Sequence, residues 1–352
     1  MDRNWTARAK HGHDIIVVGG SAGSIDVLRR VAAELEQPFE ASMFVVIHTN
    51  MESPRLLPAI LERAGSIPAA FAAHDRLIEP GRIYVAPPGT HLMLEADRTL
   101  LVHGPRENRA RPAVDPLFRS AASAYGSRVI GVVLSGMLDD GARGLRAIKE
   151  AGGIAVVQSP DDAVVADMPR NALLAAAVDH QVPAASLAQL LERLVRTPAR
   201  AGIRKSASQP QNARALLGIE NLDRVGQRTP FTCPECGGAL WQMREGQWVR
   251  YHCHVGHAYG ERSFVFAQEQ AMEAALWAAL RALEESAAVR RRLEKRAVEA
   301  GQTATATAFD RMANESEEGA SAIRRVLERR VSVDADEGVL DSGAEPATGE
   351  HG

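Results

Sequence analysis

Along residues 14–195, short runs of consecutive aliphatic residues alternate with stretches whose apolar positions recur every three or four residues. The runs at 15–18, 43–47, 83–86, 129–134 and 154–157 predict strands buried on both faces. The periodic stretches predict helices. Ile25, Leu28, Val31 and Leu35 follow Ser24 as N-cap; Leu56, Leu57, Ile60 and Leu61 lie within 54–63; Leu117, Phe118 and Ala121 lie within 114–125; Leu145 and Ile148 follow Ala142; and a last helix spans 187–195. Residues 92–94 and 99–102 flank Ala96, Asp97 and Arg98 as a hairpin, while 106–112 reads as a charged loop and 158–169 as a polar one. This alternation implies a doubly wound, mostly parallel sheet covered on both faces, a three-layer α/β/α domain over 14–195.

Outside that region the patterning changes. Residues 1–13 read as a loose tail with solvated His11 and His13, and 196–228, rich in Ala, Arg, Ser, Gln and Pro, as a linker with a short helix at 216–222. Region 261–331 predicts two helices. The first, 263–299, carries Leu276, Leu280, Leu283, Ala287 and Leu293; Gly301 and Gln302 break it; the second, 303–330, carries Phe309, Met312, Ile323, Val326 and Leu327. An antiparallel helical hairpin is the simplest arrangement, serving either as a cover for the module before it or as a surface for a helical partner or self-association. Residues 332–352 read as a disordered acidic tail.

Composition narrows the class. A chain of 352 residues, 45% hydrophobic, can bury a substantial core, and a net charge of −3 gives no polybasic footprint for nucleic acid. No apolar run is long enough for membrane insertion and the N-terminal residues lack signal-peptide character, so a cytoplasmic location is expected. All three cysteines fall between Cys233 and Cys253, which argues against disulfides and for a local metal site. Cys233-Pro234-Glu235-Cys236 is separated by 16 residues from Cys253-His254-Val255-Gly256-His257, with a hairpin from Trp241 to His252 between. A C-x-x-C knuckle facing a second pair is the pattern of a structural zinc ribbon over 229–260; Cys233, Cys236, Cys253 and His257 are the expected ligands, with His254 and His252 as alternatives to His257.

The candidate chemistry lies where strands end. Gly19-Gly20-Ser21-Ala22-Gly23 fits the G-x-S-x-G turn that lifts a serine hydroxyl out of a sheet beside free backbone N–H groups, although a Gly-rich turn can also simply bind phosphate. No dinucleotide-binding register fits these glycines. His48 ends the second strand, at the same sheet edge, and Asp139 and Asp140 follow the strand at 129–134. A structural histidine and a helix-capping aspartate are the plain alternatives. Together, hydroxyl, imidazole and carboxylate make the set that acyl transfer requires. The order Ser, His, Asp differs from the Ser, Asp, His order of α/β-hydrolases.

The runs Val17 to Gly23, Val45 to His48, Ala86 to Gly89, Arg111 to Phe118, Val133 to Gly141 and Asp167 to Ala172 together resemble the catalytic domain of the chemotaxis protein-glutamate methylesterases (CheB-type) over about residues 14–195. The resemblance implies Ser21 as nucleophile, His48 as base, Asp140 as orienter and the backbone N–H groups near Ala22 and Met137 as oxyanion donors, with no cofactor for catalysis. It implies as substrate a glutamyl γ-methyl ester on a methylated chemoreceptor or similar signalling protein, with deamidation of receptor glutamines at the same site. The chain departs from the family pattern at Ser24, at Thr49 to Glu52, at Ala110 and at Leu138, where glycine is usual, and these changes bear on the shape of the substrate groove. No receiver domain is expected before Asp14, so control by one in cis is not. The segment from Cys253 to Tyr259 also resembles a zinc-ribbon extension of stand-alone relatives. The competing expectations are a catalytically silent adaptor and an esterase for a different ester.

Overall fold

The computed structural model describes residues 12–48, 54–199, 219–245 and 248–340, with side chains described as far as 328. The described residues fall into two compact units, divided between Val265 and Phe266.

The first unit is built on a seven-stranded parallel sheet. In chain order its strands are β1 (Ile15–Gly20), β2 (Ser42–Ile47), β3 (Ala69–Phe71), β5 (Arg82–Val85), β8 (Val129–Val133), β9 (Ile154–Gln158) and β10 (His180–Val182), and across the sheet they run β10-β9-β8-β1-β2-β5-β3. Between β3 and β9 in sequence, β4 (Arg76–Leu77), β6 (His91–Glu95) and β7 (Arg98–Val102) form a small antiparallel sheet. Helices α1 (Ser24–Glu34), α2 (Leu57–Ala64) and α6 (Leu187–Arg196) pack on one face, against Ile16, Val18, Val45 and Ile83. Helices α3 (Val114–Tyr125), α4 (Ala142–Glu150) and α5 (Asp167–Ala175) pack on the other, against Ile15, Val17, Phe44 and Val133. Central strands sandwiched in this way bury both sets of alternating side chains, which is why they read as unbroken aliphatic runs.

From β1 the chain steps outward through β2 to β5 and β3, then returns to β8 on the other side of β1. The connections after β1 and β8 therefore diverge to opposite faces and open a crevice at the carboxyl ends of the strands, where ligands of such sheets bind. Ser21, His48 and Asp140 all follow strands at that edge.

Some elements differ from the expectation. The loop expected at 158–169 gives way to α5 at Asp167, although Pro169 sits in its first turn, where proline is tolerated. His13 is buried rather than solvated, because its neighbour Gly12 bridges to Pro198 beyond α6. Ser24 does not cap its own helix: its Oγ donates to the Ser135 carbonyl (2.6 Å) and accepts from Ser21 N–H (3.1 Å). Residues 1–11 of the expected tail at 1–13, the segment 49–53, most of the expected linker and residues 341–352 of the expected acidic tail lie outside the described residues.

After α7 (Ile219–Val225), strands β11 (Gln227–Thr232), β12 (Ala239–Glu245), β13 (Trp248–Cys253) and β14 (Ala258–Gly260) make a four-stranded antiparallel sheet. It is larger than the expected two-stranded hairpin and closes the first unit.

The second unit holds the body of α8 (Glu261–Glu299), together with α9 (Thr303–Leu340), which runs past the expected end at 330. Cross-links from Arg291 to Asp310 (2.6 Å) and Glu317 (3.0 Å), and from Arg324 to Glu284, show the pair to be antiparallel. Its seam on α9 is Ala306, Ala313, Ala320 and Leu327, a heptad one step from the expected Met312 and Val326, both of which are exposed. No helix among the described residues is long and apolar enough to cross a membrane.

Candidate functional site

Ser21 is the first residue after β1 and His48 the first after β2, and the strands pair in register up to Gly20 and Ile47, so the two residues leave the sheet side by side. Ser21 N–H is held by the Ser135 carbonyl (2.9 Å), which ties the turn after β1 to the turn after β8. Two glycines allow this closeness. A Cβ on Gly20 would lie 2.1 Å from Ser24 Oγ, and one on Gly136 would lie 2.8 Å from Ser21 Cβ. Among the described residues, the N–H groups of Ala22 and Met137 bond to no protein acceptor. Both residues are exposed, at the mouth of the crevice.

His48 Nε2 lies 2.7 Å from Asp140 Oδ2. An ionised carboxylate only accepts, so Nε2 carries the proton and Nδ1 presents a lone pair. Asp140 is buried, and burial pushes its pKa up; the His48 hydrogen bond and charge, the Val114 N–H (2.7 Å) and the Asn108 amide (2.9 Å) outweigh that and hold the carboxyl below its usual range. The N–H groups of Asp115 (3.1 Å) and Gly141 (3.0 Å) complete the set. Asp140 is thus bonded to the imidazole and is not the N-cap of the helix that follows it, α4, where Gly141 holds that position.

The loop carrying Asp140 is fixed from two sides. On one, Asn171 Nδ2 donates to the Leu138 carbonyl (2.7 Å) and Met168 N–H to the Gly136 carbonyl (2.8 Å), so the motif Asp167 to Ala172 is a brace for the loop. Leu138 adopts a left-handed backbone (φ 67°), which glycine takes without penalty, and the Asn171 bond holds the leucine there. On the other side stand residues that sequence reasoning left in a charged loop. Asn108 Nδ2 donates to Asp140 and also to Asp115 Oδ2 (3.1 Å). Asp115 is buried, and burial, then the nearby Asp140 charge, push its pKa up; its Oδ1 accepts from Gly141 N–H (3.1 Å) and Gly144 N–H (2.7 Å). Glu107 accepts two bonds from Arg119 Nη2 (2.9 Å each) and one from Arg250 (2.5 Å). His91 spans the same loop, with Nε2 donating to the Pro105 carbonyl (2.9 Å) and Nδ1 accepting from Ala113 N–H (3.2 Å). The signal that could have found Asn108 and Glu107 is their place immediately before the Arg111 to Phe118 motif.

Cys233, Cys236, Cys253 and His257 form one cluster, with one ligand atom from each lying within 4.8 Å of the others. Cys236 and Cys253 Sγ are 3.8 Å apart, and His257 Nδ1 lies 3.6 Å from Cys233 Sγ and 3.5 Å from Cys253 Sγ. Tetrahedral zinc with bonds of about 2.3 Å to sulfur and 2.0–2.1 Å to nitrogen requires edges of roughly 3.5–3.8 Å, and these three separations match such edges. The outer nitrogen of His257 faces Glu235 (3.4 Å), a common way of orienting a ligand imidazole. His254 is exposed and His252 is buried, and neither belongs to the cluster.

A family model described as CheB methylesterase matches residues 16–191. A relative from Leptospira interrogans serogroup Icterohaemorrhagiae, named "Putative protein-glutamate methylesterase/protein-glutamine glutaminase", is 39% identical over 183 residues, which is 52% of this chain and 95% of the relative. A protein-glutamate methylesterase/protein-glutamine glutaminase from Syntrophus aciditrophicus is 34% identical over 182 residues, and the chain spans 52% of its length. Among solved structures, the Thermotoga maritima CheB methylesterase catalytic domain is similar, with a TM-score of 0.50 and 30% identity, covering 52% of this chain and 98% of that one.

Proposed function

Because the chain belongs to the CheB methylesterase family, we propose that it hydrolyses glutamyl γ-methyl esters of a methylated chemoreceptor or similar signalling protein, and deamidates glutamines at the same site. The observation that carries this reading is the juxtaposition at the sheet edge: Ser21 and His48 leave adjacent strands in register, and His48 Nε2 is bonded to a buried Asp140 held below its usual pKa range.

In this reading His48 Nδ1 takes the Ser21 proton as Oγ attacks the ester carbonyl carbon, and Asp140 holds the ring in that tautomer and offsets its positive charge. The oxyanion is received by the unpaired N–H groups of Ala22 and Met137. Collapse expels the methoxy oxygen, which takes the proton from His48 and leaves as methanol. Water then attacks the acyl-enzyme, with His48 again the base, and releases glutamate and Ser21. A glutamine follows the same course, with ammonia as leaving group. Ser21→Ala is expected to abolish methanol release from methylated receptor membranes without changing the circular dichroism spectrum. Unchanged turnover in that variant would rule out Ser21 as nucleophile and, with it, the relay.

The small sheet of β11–β14 is proposed as a zinc ribbon, its metal held by Cys233, Cys236, Cys253 and His257. Four protein ligands close the coordination sphere, so the metal's part is to hold the sheet. Elemental analysis of protein purified without chelator is expected to find about one zinc per chain; metal-free protein with three freely titrating thiols would remove the assignment. Cysteines gathered on a metal rather than in disulfides suit a cytoplasmic protein.

A further inference from the structure

The small sheet lies outside the region matched by the family model, yet it reaches the proposed active site. We propose that it is a buttress for the Asp140 carboxylate, and that Asn108 is the positioning residue through which it acts. This rests on the reading of Asp140 as the group that orients His48.

The contact begins as backbone pairing. Asn108 N–H donates to the Ala258 carbonyl (2.8 Å) and Ala258 N–H to the Arg106 carbonyl (3.3 Å), so Glu107 is joined to β14 by a single parallel bridge. Asn108 and Arg109 both adopt left-handed backbones, with φ of 47° and 66°. Two successive non-glycine residues with positive φ form a tight turn, closed here by Glu107 N–H to the Ala110 carbonyl (3.2 Å) and Ala110 N–H to the Glu107 carbonyl (2.9 Å), and β14 adds the Ala258 contact to it.

The pairing sets the direction of the Asn108 amide. Gly260 N–H of β14 donates to Asn108 Oδ1 (3.2 Å), which turns Nδ2 towards Asp140 Oδ1 (2.9 Å) and Asp115 Oδ2 (3.1 Å). A flipped amide would aim its oxygen at two carboxylates and its N–H groups at a donor. The sheet therefore determines that Asp140 receives a donor from this side.

Two further contacts grip the neighbouring residues. Ser263, in the first turn of α8, donates from Oγ to Asp139 Oδ1, and Gly260 passes so close that a Cβ there would lie 1.9 Å from Asp139 Oδ2. Arg250 of β13 reaches the buried Glu107, which also binds Arg119 of α3. The first turn of α3 supplies two of the N–H groups that hold Asp140, so both supports of that carboxylate are linked to the sheet.

The test uses the full chain as wild type, Asn108→Ala, Asn108→Asp and Arg250→Met, the last of which touches neither the relay nor the thiols. Methyl-ester hydrolysis is resolved into kcat and KM, and amide hydrogen exchange is followed over 139–144 and, as an internal control, over 24–34. For Asn108→Ala, kcat is expected to fall about 10- to 100-fold with KM little changed, as for loss of a residue that orients a functional ligand. Asn108→Asp is expected to fall further, since it places a carboxylate oxygen against Asp140. Arg250→Met, and wild type stripped of metal by a strong chelator, are expected to exchange faster over 139–144 and unchanged over 24–34. Near-wild-type kcat in both Asn108 variants would overturn the proposal. So would unchanged exchange over 139–144 in both Arg250→Met and stripped protein. The exchange arm needs no turnover, so failure of the esterase reading itself, shown by an active Ser21→Ala, is distinguished from failure of the buttress.

Discussion

Asp140 accepts from five donors: His48 Nε2 and Val114 N–H on Oδ2, and Asn108 Nδ2, Asp115 N–H and Gly141 N–H on Oδ1. Every one is a hydrogen-bond donor. The side chain must therefore be an acceptor at both atoms, which only a carboxylate provides. Asp140→Asn has no good orientation. With its nitrogen towards His48 it forces the proton onto Nδ1, where the lone pair for Ser21 is needed; with its nitrogen towards Asn108 it sets N–H groups against three donors. Replacement in a Ser-His-Asp enzyme of the first kind costs roughly 10⁴-fold in kcat, and each buried donor left unpaired costs about 1–3 kcal/mol. Asp140→Asn is thus expected to lose about four orders of magnitude in kcat and to melt earlier, whereas Ser21→Ala loses activity and keeps its melting temperature. A calorimetric scan beside the methanol assay separates the two; equal melting temperatures would show that the five-donor cradle does not support the fold.

At the level of elements, what was legible in the sequence follows from burial. Strands β1, β2, β8 and β9 lie between two helical layers, so both faces carry aliphatic side chains and the runs are unmistakable. The edge strands β3 and β10, three residues each, have too few alternating positions to register as a pattern. Helix α5 was hidden by Asp167 and Asn171, which bond to Leu138, and by Pro169 in its first turn, none of which adds to an apolar stripe. The seam of α9 was read in part: Leu327 and Ile323 pack as expected, whereas Ala306, Ala313 and Ala320 carry less hydrophobic weight than the exposed Met312 and Val326 and went unread. The places of Ser21, His48 and Asp140 beyond strand ends were legible because an apolar run precedes each of them, with small residues marking the turn at Ser21 and near Asp140. Asn108 and Glu107 were not, since a buried polar residue in a charged loop is recognised only once its partner, distant in sequence, is known: Gly260 for one and Arg250 for the other.

Across the first unit, buried carboxylates around one loop and buried imidazoles together shape the response of stability to pH. Burial would raise Glu107, but Arg119 and then Arg250 outweigh it and hold the group far below its ordinary 4.5. For Asp140 the balance likewise falls below 3.8. A group depressed in the folded state contributes stability that is present above its unfolded pKa and lost as pH falls through the folded one. Asp115, raised by burial and by Asp140 to about 6, acts in the opposite sense: the folded state binds the extra proton, so stability declines as pH rises from about 4 to 6. His13, His91 and His252 are lowered by burial, so their contribution is present above pH 6.5 and is lost as pH falls below it. The expected profile of unfolding free energy is therefore highest near neutrality, declines into mild acid and falls steeply below about pH 4. Glu107→Gln tests the acid limb. It leaves two arginines without their buried carboxylate, a loss of about 3–5 kcal/mol at neutral pH, and removes a titrating group, so its curve should lie below wild type at pH 7 and converge on it as pH drops below 4.5. Urea unfolding followed at closely spaced pH values supplies the comparison. Parallel curves through the acid range would mean that the Glu107 carboxylate is not what acid disables, and that the link between α3 and the small sheet survives its protonation.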